Sequence, residues 1–161
     1  MGDQVGIAVS GNLCYVPFKE FERVQALSIS AVEKTSLFAS LCRINTLYMI
    51  AHAGSGHIGS SFSSIDIMSW LLLNEVRVPL KGNTSSPSDI FFSSKGHDAP
   101  SLYNVLIGQG RLNFDLIHSL RKYGGLPGHP DITIPNIVTN TGSLGMGVSK
   151  AKGMIFANRL L

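Results

Sequence analysis

DIFFSSKGHDAPSLYNVLIGQG, at residues 89–110, is the stretch that decides the predicted fold. Its apolar start, Ile90–Phe92, predicts a short buried strand, and Ala99–Gly110 predicts a helix. Pro100 lies in the first turn of that helix, where a missing N–H removes no helical hydrogen bond. A buried strand followed directly by a helix is typical of a parallel sheet with helices on its faces. The sequence therefore predicts an α/β domain.

A long helical pattern precedes this stretch. Apolar residues recur at helical spacing over residues 21–53, and the pattern weakens at Lys34–Thr35, so two helices are an open alternative. Gly54 predicts the end of this segment, because glycine tolerates a left-handed C-terminal residue.

Further helices are predicted on both sides of the deciding stretch. Ser63 and Asp66 have the spacing of a variant capping box, which predicts a helix from there to about Glu75. Shorter helices are predicted at residues 113–121 and 144–161.

The remaining segments are predicted to be loops. Residues 1–20 read as an irregular N-terminal arm, and residues 79–88 and 123–143 are rich in turn-forming residues. The apolar residues 132–138 are broken by Pro135 and make a poor strand. A single strand cannot satisfy its own backbone groups, so we expect the sheet to be incomplete in this chain.

Composition indicates a folded domain and excludes several kinds of partner. Hydrophobic residues make up 44% and charged residues 14% of the 161 residues. The net charge is +3 without a basic run, which predicts no nucleic-acid partner. The longest apolar run, at residues 65–73, is too short to cross a bilayer and predicts no membrane partner. Two cysteines and no signal-peptide pattern predict reduced thiols in a cytoplasmic protein.

Three of the five histidines directly follow glycine, at Gly56-His57, Gly96-His97 and Gly128-His129. Random placement would give fewer than one such pair on average. In a loop, glycine lets the backbone approach a ligand while the imidazole offers a hydrogen bond. Plain turns are one alternative. A zinc site is another, but spacings of 40 and 32 residues without a nearby cysteine disfavour it.

A fourth loop, TNTGSLGMG at residues 139–147, opens the last predicted helix. Free N–H groups at a helix start, with glycines that allow close approach, favour an anion or a polar ring. The segment contains neither a phosphate-binding Walker pattern nor a nucleophile elbow.

These four loops, in this order, resemble the signatures of the transketolase family. The resemblance runs from about Leu41 to Arg159. It rests on GSGHIGSSFSSIDI (54–67), DIFFSSKGHDAPSLY (89–103), GLPGHPD (125–131) and NTGSLGMGVSKAKGM (140–154).

The resemblance implies an α/β fold: the start of a mainly parallel, thiamine-diphosphate-binding fold, truncated and therefore helix-rich. Residues 21–161 would be the incomplete diphosphate-binding domain, after the arm at 1–20. The implied activity is transfer of a two-carbon ketol unit between sugar phosphates, by a homodimer or with a complementary C-terminal subunit. The alternatives are a deoxyxylulose-phosphate synthase or dihydroxyacetone synthase fragment, or a non-catalytic module.

The resemblance also implies roles for individual residues. His57 matches a catalytic histidine that faces the substrate at the reactive carbon of the cofactor. His97 matches one near the diphosphate and the substrate channel, and His129 matches one that hydrogen-bonds substrate oxygens. The positions that match the loop contacting the thiamine rings are Gly142, Leu144 and Gly145.

Other matched positions carry structural expectations or depart from the family. Ser55 is expected to shape its loop and Asp66 to cap a helix, while Lys95 is expected to lie near anionic groups. Met146 stands where many relatives carry glutamine, and Asp98 stands where a small residue is usual.

The resemblance implies a magnesium or calcium ion on the diphosphate, but this chain lacks the family's Gly-Asp-Gly and Asn ligands. No metal-binding residue is therefore predicted here. We expect the cofactor to be thiamine diphosphate, as in the family, and we expect the isolated chain to be inactive.

Overall fold

The computed structural model describes residues 8–10, 13–77 and 89–160. The helices are α1 (Phe18–Ala26), α2 (Ala31–Ala53), α3 (Ile58–Trp70), α4 (Ala99–Gly108) and α5 (Met146–Leu160). A π-helical turn, Leu71–Glu75, extends α3, and a 3₁₀ turn, Phe114–His118, follows α4. Two short strands, β1 (Ala8–Ser10) and β2 (Leu13–Tyr15), pair antiparallel. The predicted loop at residues 79–88 lies outside the described residues.

The predicted strand at Ile90–Phe92 is wrong. These residues have no regular secondary structure, and Ile90 is 50% exposed. In the described ranges the strands are β1 and β2, which pair with each other. Residues 90–92 therefore have no strand beside them, among the described residues, with which to exchange backbone hydrogen bonds. The described fold is helix-rich, and a parallel sheet is not seen in it.

The break between the first two helices lies earlier than predicted. It falls at residues 27–30 rather than at Lys34–Thr35, which lie inside α2. Ser30 and Glu33 form a reciprocal capping box there, and this fixes the start of α2. The predicted end of α2 is confirmed, because Gly54 adopts a left-handed conformation with φ of +64°.

The predicted capping box at Ser63 and Asp66 is wrong. Helix α3 begins at Ile58, so both residues lie inside it, and Asp66 forms an ion pair with Arg43 of α2. The end of this helical segment at Glu75 is confirmed by the π-helical turn. The Ser60-Ser61 dipeptide and its neighbours have low helix propensity, so the packing of α3 decides its start.

The described part of the predicted irregular arm, residues 1–20, is more regular than expected. It contains β1, β2 and the first residues of α1. Asn45 of α2 is fully buried and binds both backbone groups of the residue that follows β2. Its Oδ1 accepts from the Val16 N–H at 2.6 Å, and its Nδ2 donates to the Val16 carbonyl at 2.9 Å. These two bonds satisfy buried backbone groups that would otherwise destabilise the fold.

Helix α4 lies at the centre of the core, with α1, α2 and α3 packed on it. All ten of its residues are buried. At its C-terminal end, a Cβ on Gly108 would lie 2.6 Å from the Phe21 ring and 2.8 Å from the Phe38 ring. Because glycine has no side chain, the two rings can pack against the helix at this point. They contact each other edge to face, with their centroids 5.3 Å apart.

The helices of the described ranges are too short or too polar to span a membrane. Neither Cys14, which is exposed, nor Cys42, which is buried, is in a disulfide.

A cluster of aromatic and imidazole rings joins β2, α2 and the 3₁₀ turn. The Tyr48 hydroxyl lies 2.6 Å from His118 Nδ1, and the Tyr48 ring stacks on His52 at 5.4 Å. Tyr15 contacts His118 edge to face at 5.2 Å, and the Lys122 ammonium lies 2.9 Å from His52 Nε2. Protonation of His118 would add a positive charge beside the two neighbouring basic groups.

We expect this cluster to make stability depend on pH. Burial and then the neighbouring His52 lower the pKa of His118 below its usual 6.5, partly opposed by Asp115. The unfolded chain then takes up the proton first, so the stabilisation is complete above about pH 6.5 and is lost as the pH falls through the lowered pKa. Urea midpoints measured between about pH 7 and about pH 5 should fall more steeply for the wild type than for His118→Gln. Parallel profiles would contradict this account.

Candidate functional site

Two of the histidines predicted to be functional meet directly. His57 is the residue before α3, and His97 lies just before α4. Their rings are 5.2 Å apart and inclined by 70°. The backbone just before His57 packs closely on α2, since a Cβ on Gly56 would lie 2.8 Å from the Ile50 side chain. The packing of α3 on α4 therefore brings the first and second signature loops together.

The second and fourth loops touch through two glycines. A Cβ on Gly96 would lie 2.5 Å from the backbone nitrogen of Gly142, a separation that no side chain permits. Gly96 also has a φ of +63°, which glycine adopts without strain. Close by, the Gly147 N–H donates to Ser94 Oγ at 3.1 Å. The start of α5 is thus held against the loop that carries His97.

The third loop joins the same point. A Cβ on Gly142 would lie 2.8 Å from Cδ2 of His129, so the imidazole packs directly on the glycine backbone. The fully buried Tyr103 of α4 donates from its hydroxyl to the His129 carbonyl at 3.0 Å. Burial raises the pKa of Tyr103, which keeps its hydroxyl a donor. The Thr141 N–H donates to the Pro130 carbonyl at 3.4 Å.

The three histidines thus come from separate loops that touch in sequence: His57 lies against His97, and the Gly96–Gly142 contact joins the loop of His97 to the glycine on which His129 packs. His57 and His129 are exposed, and His97 is half-buried. Each imidazole therefore has a ring edge available to a ligand as a hydrogen-bond partner.

The fourth loop leaves room for a flat ring. Leu144 is 72% exposed, and a Cβ on Gly145 would meet no atom within 4 Å. Nearby, the Oγ1 of Thr141 is buried without a hydrogen-bond partner among the described residues. An apolar side chain, open backbone and an unpaired hydroxyl suit a heteroaromatic ligand with polar substituents.

Lys95 lies near an anionic group, as expected, and that group is a side chain of the protein, Asp98. Its ammonium donates to the Ser60 carbonyl at 2.8 Å and to Ser63 Oγ at 3.2 Å. It also lies 3.7 Å from the Asp98 carboxylate. These partners belong to the protein, so the lysine joins two signature loops.

The described residues contain no group of three or more His, Cys, Asp or Glu side chains placed to hold a metal ion. The predicted site residues supply imidazoles, backbone groups and one leucine side chain. A cation on a bound diphosphate would need oxygen ligands from elsewhere.

Sequence reasoning missed several residues that shape the site. The Tyr103 hydroxyl and Ser94 Oγ each hold a loop through a backbone group far along the chain. Tyr103 reads in sequence as an ordinary apolar position of a buried helix. For Gly96, the glycine before a histidine was a usable signal, although its contact with Gly142 depends on tertiary structure.

Comparison with known proteins identifies the family. The sequence profile described as "Transketolase, thiamine diphosphate binding domain" matches residues 34–161. The chain belongs to the transketolase family, and the matched domain is of the α/β class.

Three relatives illustrate the range of the match. One subunit of the apulose-4-phosphate transketolase of Phocaeicola vulgatus is 32% identical over 130 residues, which cover 80% of this chain and 46% of the relative. The 6-deoxy-6-sulfo-D-fructose transketolase subunit SqwG of a Clostridium species is 34% identical over 121 residues, 74% of this chain and 44% of the relative. Human transketolase is 35% identical over 122 residues, 75% of this chain and 20% of the relative. The match thus spans less than half the length of each.

The contact between the second and fourth loops is testable with matched glycine variants. Gly96 and Gly54 have nearly equal φ, +63° and +64°, but a Cβ on Gly54 would meet nothing within 4 Å. We expect Gly54→Ala to lower the free energy of unfolding by about 1 kcal/mol, from left-handed strain alone. Gly96→Ala should lower it by roughly 1–3 kcal/mol more, through overpacking against Gly142. Equal losses in urea unfolding would mean that the two loops do not touch in solution.

Proposed function

We propose that this chain forms the first part of a thiamine-diphosphate-dependent site that transfers a two-carbon ketol unit between sugar phosphates. The observation that carries the proposal is the chain of contacts that runs from His57 to His97 and, through the Gly96–Gly142 contact, to His129. Family membership supports the cofactor, and the exposed rings support a polar, multiply hydroxylated substrate.

The described residues fit the ring part of this cofactor. When bound, the cofactor supplies a nucleophilic thiazolium carbon and the electron sink for cleavage of a carbon–carbon bond. Leu144 offers apolar contact to the rings, and Gly142 and Gly145 let the backbone approach them closely. His97, partly shielded beside His57, would donate to a phosphate oxygen.

The two exposed histidines would act on the substrate. Imidazole exchanges a proton near neutral pH, so His57 and His129 can hold a proton at a ring nitrogen and donate it to a developing alkoxide. The Tyr103 bond to the His129 carbonyl and the packing of Gly142 on its ring restrict how far His129 can move. A restrained donor stabilises developing charge without reorganising first.

We propose that the remaining part of the site comes from a complementary segment or subunit. Large apolar side chains of α5 are exposed, among them Val148 at 75% and Phe156 at 64%. Between α5 and the segment before α4 lies a groove of about 280 Å³, lined by Asp89, Ile90, Phe92, Ala151, Met154, Ile155 and Asn158. Such a surface suits contact with further strands of an α/β domain. In this proposal, residues 1–20 are an N-terminal arm and residues 21–161 are the first part of that domain.

In this proposal, the complementary segment or subunit also supplies the oxygen ligands of a magnesium or calcium ion. A second copy of the protein, in a homodimer, is the other proposed partner. Free Cys14 and Cys42 support a reducing, cytoplasmic setting. The alternative activities are those of a deoxyxylulose-phosphate synthase or a dihydroxyacetone synthase.

Calorimetry tests whether the chain alone completes the site. We expect titration with thiamine diphosphate and magnesium to give no saturable heat, because the described residues supply no cluster of ligands for the cation that would hold the diphosphate. Magnesium alone is the control. Tight binding by the isolated chain would overturn the view that its cofactor site is incomplete. If the chain is a non-catalytic module, the titration should likewise give no saturable heat, and the complete protein should also show no activity.

Histidine variants of the complete protein test the catalytic assignment. We expect His57→Ala and His129→Ala to lower kcat/KM for ketol transfer between sugar phosphates by about 10²–10⁴-fold, the usual contribution of a positioned proton donor. His52→Ala is the matched control, since His52 packs on Tyr48 outside the site and should leave the rate unchanged. Normal rates in both site variants would remove those histidines from the mechanism.

A further inference from the structure

We infer that Lys95 is a positioning residue: its ammonium fastens the loop before α4 to the first turns of α3 and thereby sets His57 against His97. The inference rests on the proposed function only in assuming that the mutual placement of these histidines matters. Lys95 lies two residues before His97 and contacts positions three and six residues after His57.

The contacts of Lys95 bridge the two loops. Its Nζ donates to the Ser60 carbonyl at 2.8 Å and to Ser63 Oγ at 3.2 Å, both on α3. Within the part of the chain that the structure describes, these are the hydrogen bonds that connect residues 93–98 with residues 57–63. The lysine therefore adds a direct link between the two histidine loops to the packing of α3 on α4.

A buried carboxylate holds the lysine in this orientation. Asp98 is fully buried, and its Oδ2 accepts from Ser93 Oγ at 2.7 Å and lies 3.7 Å from the Lys95 Nζ. Its Oδ1 has no partner among the described residues. If the lysine turned outward toward a ligand, it would leave a buried charge without its counter-ion, which is strongly unfavourable.

This arrangement explains why a lysine in a signature loop does not serve as a free cation. A lysine side chain has four rotatable bonds and loses considerable entropy when fixed. Two hydrogen bonds and one ion pair offset that loss here. The side chain is 29% exposed, so solvent competes only in part for its ammonium.

Proton NMR of the 161-residue chain tests the inference through the imidazole rings. The wild type should show cross-peaks between ring protons of His57 and His97, whose centroids are 5.2 Å apart. Lys95→Met keeps an unbranched side chain of similar length and removes the ammonium. We expect those cross-peaks to be lost, while contacts between Tyr48 and His118, at 5.4 Å, persist as an internal reference for folding.

Two further variants separate the Lys95 bridge from its consequences. Lys34→Met is the matched control, because Lys34 donates to the Gln25 carbonyl, away from both histidine loops, and its loss should keep every cross-peak. Lys95→Met/Asp98→Asn removes the ammonium without stranding a buried charge, so it restores folding if Lys95→Met alone unfolds. In that double variant the His57–His97 cross-peaks should still be absent.

Persistence of the His57–His97 cross-peaks in a folded Lys95→Met or double variant would overturn the inference. So would failure of the double variant to fold, since the lysine would then stabilise the core in general. The measurement needs neither cofactor nor substrate. A failed test of the proposed function therefore leaves this result standing, and the reverse holds as well.

Discussion

The contact between the backbones of Gly96 and Gly142 is the constraint on which the candidate site depends. At 2.5 Å from a notional Cβ to the Gly142 nitrogen, no residue other than glycine fits at position 96. Gly142 in turn faces His129, while the residue after Gly96 is His97. The second, third and fourth loops therefore meet where two residues lack side chains, and the first loop joins them through the contact of His57 with His97. Any enlargement at this point would separate the histidines from one another.

The sequence predicted the helices and the loops better than the sheet. Gly54 ended α2 as expected, because a left-handed terminus is a local property of glycine. The strand at Ile90–Phe92 failed because strand formation requires a partner, which local pattern does not report. The helix start at Ser63 failed because packing against α4 extends α3 back to Ile58. Local signals were reliable where local geometry decides, and unreliable where distant residues decide.

For the candidate site, too, local sequence signals were informative and contacts between distant residues were not predictable. The repeated Gly-His pairs predicted which loops would matter, and those loops do come together. The roles assigned to His57, His97 and His129 remain predictions from the family resemblance. The Tyr103 bond to the His129 carbonyl and the pairing of Lys95 with Asp98 were not predictable. Each depends on side chains whose distance is set only once α3 and α4 have packed.

Helix α4 has buried residues on every side, from Ala99 beside the histidines to Gly108 against the Phe21 and Phe38 rings. Close-packed interiors transmit displacement because they hold little free volume. We therefore expect α4 to move as one rigid unit, with its C-terminal end packed against the aromatic rings of α1 and α2. A bulkier residue at Gly108 would press on the Phe21 and Phe38 rings and displace α4, and with it the loop that carries His97. The size of the residue packed against the Phe21 and Phe38 rings therefore also bears on the position of the imidazole at the opposite end of α4.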